Sequence, residues 1–286
     1  MKQDKLAVPP AGWASAFEVQ RAQRIDPLQA IVSFFKKTLI IADLEARKLR
    51  HDPTELVTRA VQPILWLLVF GQVFTRTRAI PTGDIPYIDF MAPGILAQSV
   101  LFIAIFYGIA VIWERDLGVV HKFLVSPTPR AALVLGKALS AGVRAFVQAV
   151  IIYLLAILLG VKASFNPLYL LGVLVVVLLG AAFFSTFSLI IACLVKTRER
   201  FMGIGQLLTM PLFFASNSIY PIAIMPGWLQ VVSRINPLTY EVDALRTLML
   251  AGGTSTFGLG LDFAVLVGAT VLLISVASVL YPRVVI

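Results

Sequence analysis

An all-α membrane protein is what this sequence predicts, on three observations. The chain of 286 residues is 59% hydrophobic and only 14% charged, with a mean hydropathy of +0.90. Soluble domains sit near about 45–50% apolar and about 25% charged. Six apolar runs recur along the chain, each of roughly the 20 residues that a helix needs to cross a bilayer. The basic residues crowd onto alternate connectors, as the positive-inside rule requires of a chain that crosses repeatedly.

Residues 1–26 are polar, contain Pro9, Pro10 and Gly12, and read as a cytoplasmic tail. The first apolar span begins only near residue 55, so no cleavable signal peptide is expected. Residues 27–52 read as a helix lying in the headgroup plane. Leu28, Ile31, Val32, Phe35, Leu39 and Ala42 make its apolar face, and Lys36, Lys37, Asp43, Arg47 and Lys48 sit mostly opposite, with the basic side chains toward anionic lipid. A helix packed on a protein partner is the alternative. Asp52-Pro53 ends it, because the residue before proline avoids helical geometry.

Residues 53–286 read as one transmembrane domain. Its six spans fall near Leu56–Phe74, Phe90–Trp113, Leu139–Gly160, Leu168–Val195, Phe201–Ser216 and Phe263–Tyr281. With the N-terminus inside, only Arg76, Arg78, Lys162, Arg234 and Arg246 of the 24 Lys and Arg lie outside. Both termini are therefore expected in the cytoplasm. Topology accounts for the net charge of +9, which removes the case for a nucleic-acid partner.

The connector Glu114–Lys137 then also faces the cytoplasm. Leu117, Val120, Phe123 and Leu124 fall on one side of a short helix, which Pro127 and Pro129 stop. The fourth span carries small residues at Ala181, Ser185, Ser188 and Ala192, which permit close helix approach. The fifth places Gln206, Met210, Phe213 and Asn217 at spacings of four, three and four. That stripe suits either a path for amphipathic molecules or helix packing with an interhelical amide bond. Between the last two spans, residues 219–262 are rich in Pro and Gly yet densely apolar. They read as two short helices dipping into the outer leaflet and broken at Ser233–Pro237. Arg246 is expected to pair with Asp243, or less favourably Glu241, along one of them.

The span centres hold almost no ionisable side chains, unlike those of proton or sodium carriers. No phosphate-binding loop is present, since Gly136-Lys137 lacks the upstream glycine and the following Ser or Thr. No nucleophile, base and orienting group cluster, so no catalytic residue is expected. His51 and His121 have no metal-type neighbours, and no metal site is expected. The single cysteine, Cys193, cannot form an intramolecular disulfide and reads as a small buried apolar side chain. Any work done must be powered by another chain.

The run SNSIYPIAIMPGWLQVVSRINPLTYEVDALRTLML, Ser216–Leu250, resembles the hallmark segment of ABC-2 type transporter permeases, in particular the daunorubicin-resistance group. His51–Phe74, with its Gln62-Pro63 pair, resembles their first span, and Glu114–Lys137 their first cytoplasmic loop. Nodulation-factor export permeases are similar too. The resemblance implies the ABC-2, or type V exporter, fold: six spans, an interfacial N-terminal helix and re-entrant outer helices in 219–262. It implies a bacterial plasma-membrane dimer of permeases with two copies of a separate ATP-binding subunit, which holds ATP and magnesium; this chain itself would carry no cofactor. It makes Glu114, Arg115, Asp116, Lys122, Phe123, Ser126, Pro127 and Arg130 the elements that couple to the ATPase. It makes Gln98, Phe102, Phe106, Gln206, Met210, Phe213 and Asn217 candidates for the substrate path. It places Asn236, Pro237, Glu241, Asp243 and Arg246 in the outer re-entrant signature. The cargo it implies is a hydrophobic or amphipathic drug-like compound, with lipid, lipid-linked glycan or lipo-oligosaccharide as the alternative. A secondary carrier or membrane scaffold is the remaining rival.

Overall fold

A computed structural model describes residues 36, 40, 54–78, 80–83, 85–118, 120 and 130–281. These residues are almost entirely helical, and no β-strand occurs among them; one isolated bridge joins Ala163 to Leu250. Four described helices are long and apolar enough to cross a membrane: Tyr87–Asp116, Arg130–Leu158, Pro167–Leu194 and Leu259–Leu280. The interfacial helix expected over 27–52 lies outside the described residues, apart from positions 36 and 40.

The segment expected to form the first span is a composite rod. Helix α1 (Thr54–Leu65) passes into a π-helical stretch, Trp66–Gly71, and then into α2 (Gln72–Thr77). Pro63 sits just before the π-helical stretch, and proline removes the amide that would have continued the regular ladder. Arg78, at φ +48°, closes the rod in left-handed geometry.

Helix α3 (Tyr87–Asp116) is the axis of the fold. It is apolar on every side, and such a helix is stable only when surrounded. Helices α4 (Arg130–Leu158), α5 (Pro167–Leu194), α6 (Arg198–Phe214) and α8 (Pro237–Met249) enclose it. Gly94 and Gly108 make the closest approaches possible. A Cβ at Gly94 would lie 2.4 Å from the Ser218 carbonyl oxygen, and one at Gly108 would collide with Ser188 and Phe201. The small-residue stripe of α5 is buried, and its Ser188 hydroxyl donates to the Ile105 carbonyl of α3.

Several boundaries differ from the sequence reading. Helix α4 begins at Arg130, not near Leu139, so residues 130–137 of the connector belong to a long apolar helix. Glu114, Arg115 and Asp116 end α3 and precede a turn at Leu117 and Gly118, the latter at φ +70°. The last helix, α9 (Leu259–Leu280), starts four residues before Phe263. Periodicity identifies such spans, but their polar ends carry no apolar signal; capping and packing set them.

The segment before α9 forms a 3-10 turn at Ile222–Ile224, α7 (Gly227–Ile235) and α8. The break falls at Asn236, whose side chain caps α8 by accepting from Leu238 N at 3.1 Å, with Pro237 at the first helical position. Helix α7 leaves Trp228, Val231, Val232 and Ile235 exposed. Such a face is stable only against lipid or another protein.

Candidate substrate cavity and its coupling end

One face of α3 and one face of α6 meet α1 around a cavity of about 340 Å³. Gln98, Phe102 and Phe106 recur every four residues on α3 and so share a face. Gln206 and Met210 do the same on α6. All five line the cavity, with Ser99 and Ile103 beside them and Thr58, Gln62 and Pro63 from α1. The Phe102 and Phe106 rings lie 6.1 Å apart at a tilt of 34°. Gln62 and Gln206 are exposed within apolar stretches of their helices, where facing lipid would cost each amide its hydrogen bonds.

Phe213 and Asn217 do not reach this cavity. Phe213 is fully buried, edge-on to Trp66 at 6.0 Å. Helix α6 ends at Phe214, so Asn217 leaves the helical register and lies buried in the turn below α8. The stripe inferred from spacing therefore breaks near Pro211. Conversely, Thr58, Gln62 and Ser99 join the wall without having been assigned to it. Gln62 carried the same signal as Gln206, an amide in an apolar span, and that test would have found it.

At the opposite, charged end, residues from three elements converge. Asp116 accepts from Arg198 Nη2 at 2.8 Å and Nε at 3.1 Å, and from Arg115 Nη2 at 3.0 Å. Arg115 also reaches the Lys196 carbonyl at 2.7 Å and that of Val195 at 3.3 Å. Arg198 lies 3.5 Å over the Trp113 ring. Lys137 of α4 pairs with Glu114 of α3. Thus Glu114, Arg115 and Asp116 spend their polar groups inside this chain, fastening the end of α3 to the junction of α5 and α6. Arg130 is exposed at the start of α4. Lys122, Phe123, Ser126 and Pro127 lie outside the described residues.

Of the signature residues, Asn236, Glu241, Asp243 and Arg246 are buried, and three of these four bond to main chain. Asn236 Nδ2 donates to the Leu212 carbonyl at 2.7 Å. Arg246 does not pair with Asp243 or Glu241 as its spacing suggested. Its Nη2 donates to the Asn217 carbonyl at 2.7 Å and that of Phe90 at 3.2 Å, and its guanidinium stacks 3.9 Å from the Phe90 ring. Asp243 instead accepts from Ser255 Oγ and from the amides of Thr256 and Phe257, holding the loop before α9. Glu241 is fully buried against Gly180, and neither carboxylate oxygen has a partner among the described residues. Burial pushes its carboxyl well above the usual range.

Across residues 36–250 the sequence matches the profile of the ABC-2 type transporter. This chain belongs to the ABC-2 type transporter family. It is the membrane permease component of an ABC transporter, a family that works with ABC ATPase subunits. Among its curated relatives is a putative transport permease ycf38 of Cyanophora paradoxa, 29% identical over 231 residues, covering 77% of each chain. The daunorubicin resistance ABC transporter permease protein DrrB1 of Streptomyces coeruleorubidus is 27% identical over 208 residues, covering 73% of this permease and 72% of that protein. Nodulation protein J of Rhizobium meliloti (strain 1021) is 28% identical over 177 residues, covering 61% and 66%.

Proposed function

We propose that this ABC-2 permease exports hydrophobic or amphipathic compounds, two copies of it working with two ATP-binding subunits in a bacterial plasma membrane. The observation that carries the reading is the amide-and-aromatic cavity whose α6 wall is fastened, at its other end, to the connector after α3. Similarity to DrrB1 supports a drug-like cargo. The run Thr54–Thr77 and α6 complete six spans with the four long helices, and residues 219–262 form the re-entrant outer segment. Both termini then face the cytoplasm.

In this reading the ATPase docks on the connector between Asp116 and Arg130, with Lys122, Phe123, Ser126 and Pro127 as contacts. Closure of the ATPase pair moves that connector. The Arg115–Asp116–Arg198 clasp carries the motion to the foot of α6, so the cavity wall follows. Neither nucleotide nor magnesium binds this chain; both belong to the partner.

The test uses the permease reconstituted with its ATPase subunit. Arg198→Ala should leave the two subunits copurifying while cutting the cargo moved per ATP hydrolysed several-fold. An unchanged ratio would refute the clasp as the transmission element. Gradient-driven flux by the permease without any ATPase would replace the exporter reading with a secondary carrier.

A further inference from the structure

We infer that the cavity selects uncharged amphiphiles bearing their own hydroxyl or amide groups, with Gln98 as the specificity-determining contact. The inference rests on the exporter reading and refines it by naming the class of cargo.

Among the described residues, none of the ten side chains named as lining the cavity is ionisable. A cation entering would surrender its hydration with no carboxylate to replace it, and an unpaired ion in a low-dielectric site is costly. The Phe102 and Phe106 faces offset only a small part of that loss.

Gln98 gives the cavity its chemical preference. The residue is only 2% exposed, sits in the middle part of the most buried of the four long helices, and its Oε1 has no partner among the described residues. A buried amide left unbonded is unfavourable, and a ligand group that bonds it recovers the deficit. Next to it, Ser99 has already committed its hydroxyl proton to the Ile95 carbonyl at 2.8 Å, which leaves only its acceptor capacity. Gln206 and Gln62 present further amides from α6 and α1. Each amide offers a donor and an acceptor. The polar side of the cavity is thus neutral and ambivalent, which suits hydroxyls and amides. Phe102, Phe106 and Met210 offer a flat, polarizable surface for an aromatic or ring body. At about 340 Å³ the space holds one ring system with a polar substituent, at the small end of ligand pockets. A site built to bond a ligand hydroxyl or amide rejects the analogue that cannot match it.

The experiment compares 1-naphthylmethylamine, cationic at neutral pH, with its N-acetyl derivative, which is neutral and carries an amide. Both are titrated against ATP hydrolysis by the reconstituted permease–ATPase complex. The acetyl compound should stimulate at a concentration lower by roughly tenfold, a margin one matched polar contact supplies. Gln98→Leu should raise its half-maximal concentration by a similar factor while moving the amine little. Gln206→Glu, at an exposed position that tolerates charge, should bring the amine to parity or ahead. An amine that is equal or better on the wild type overturns the inference, as does Gln98→Leu shifting both compounds alike. If neither compound acts while the complex still moves other cargo with ATP, the inference fails and the exporter reading stands. If no compound and no lipid stimulates ATP hydrolysis or moves with it, the exporter reading itself fails.

Discussion

Replacing Arg246 with lysine isolates what a guanidinium does that a charge alone cannot. Arg246 bridges the Asn217 carbonyl at 2.7 Å and the Phe90 carbonyl at 3.2 Å while stacking 3.9 Å from the Phe90 ring. Lysine keeps the positive charge but is a compact point donor without the planar fork. It can serve one carbonyl and cannot stack. The lost charge-assisted bond is worth about 1.5–3 kcal/mol and the stacking about 0.5–2 kcal/mol. A central figure of roughly 3 kcal/mol should lower the unfolding midpoint by about 6–12 °C for a chain of this size. The assay is thermal unfolding of the purified permease in detergent, followed by tryptophan fluorescence. Arg234→Lys on the neighbouring α7, whose side chain is exposed, is the control and should change stability by less than about 0.5 kcal/mol. A shift for Arg246→Lys no larger than the control's would refute the reasoning. It would mean that the two carbonyls find other donors.

Two further outcomes follow from burial. Gly94→Ala drives a methyl to 2.4 Å from the Ser218 carbonyl oxygen and 2.7 Å from its Cα, backbone atoms that cannot rotate away, and should cost about 1–3 kcal/mol. Gly203→Ala on α6 meets nothing within 4 Å and should stabilise by about 0.5–1 kcal/mol through helix propensity; equal effects of the two in thermal unfolding would contradict the packing described here. Glu241 binds a proton in the folded state at pH values where the unfolded chain has lost it, because burial raises its carboxyl above the ordinary 4.5. The sign follows: its contribution is fully present below that value and is lost as pH rises toward the folded pKa, by at most about 1.4 kcal/mol per pH unit. Glu241→Gln should flatten the fall in unfolding midpoint between mildly acidic and neutral pH; an unchanged slope would show that the carboxyl does not titrate there.

Much of this fold can be read from one dimension. Apolar periodicity locates the spans because a helix surrounded by lipid and protein needs a continuous apolar surface. Proline and asparagine mark local backbone events: Asn236 caps α8 through its own Leu238 amide, two residues away. The positions of Gln98, Phe102, Phe106, Gln206 and Met210 on common helix faces are likewise fixed by a repeat of 3.6 residues.

What the sequence alone settled is which residues share a helix face, since that depends only on neighbours within a turn or two. Which partner each face meets was decided by the tertiary structure. Asp116 reaches across 82 residues to Arg198, and Arg246 across 156 to Phe90. Spacing along α8 favoured carboxylates for Arg246, but packing α8 against α3 put two main-chain oxygens nearer. Asn217 left the cavity because α6 ends at Phe214, and Phe213 because its ring is buried edge-on to Trp66. A hydrogen bond is decided by a few ångströms of separation, and only the packed helices set that distance.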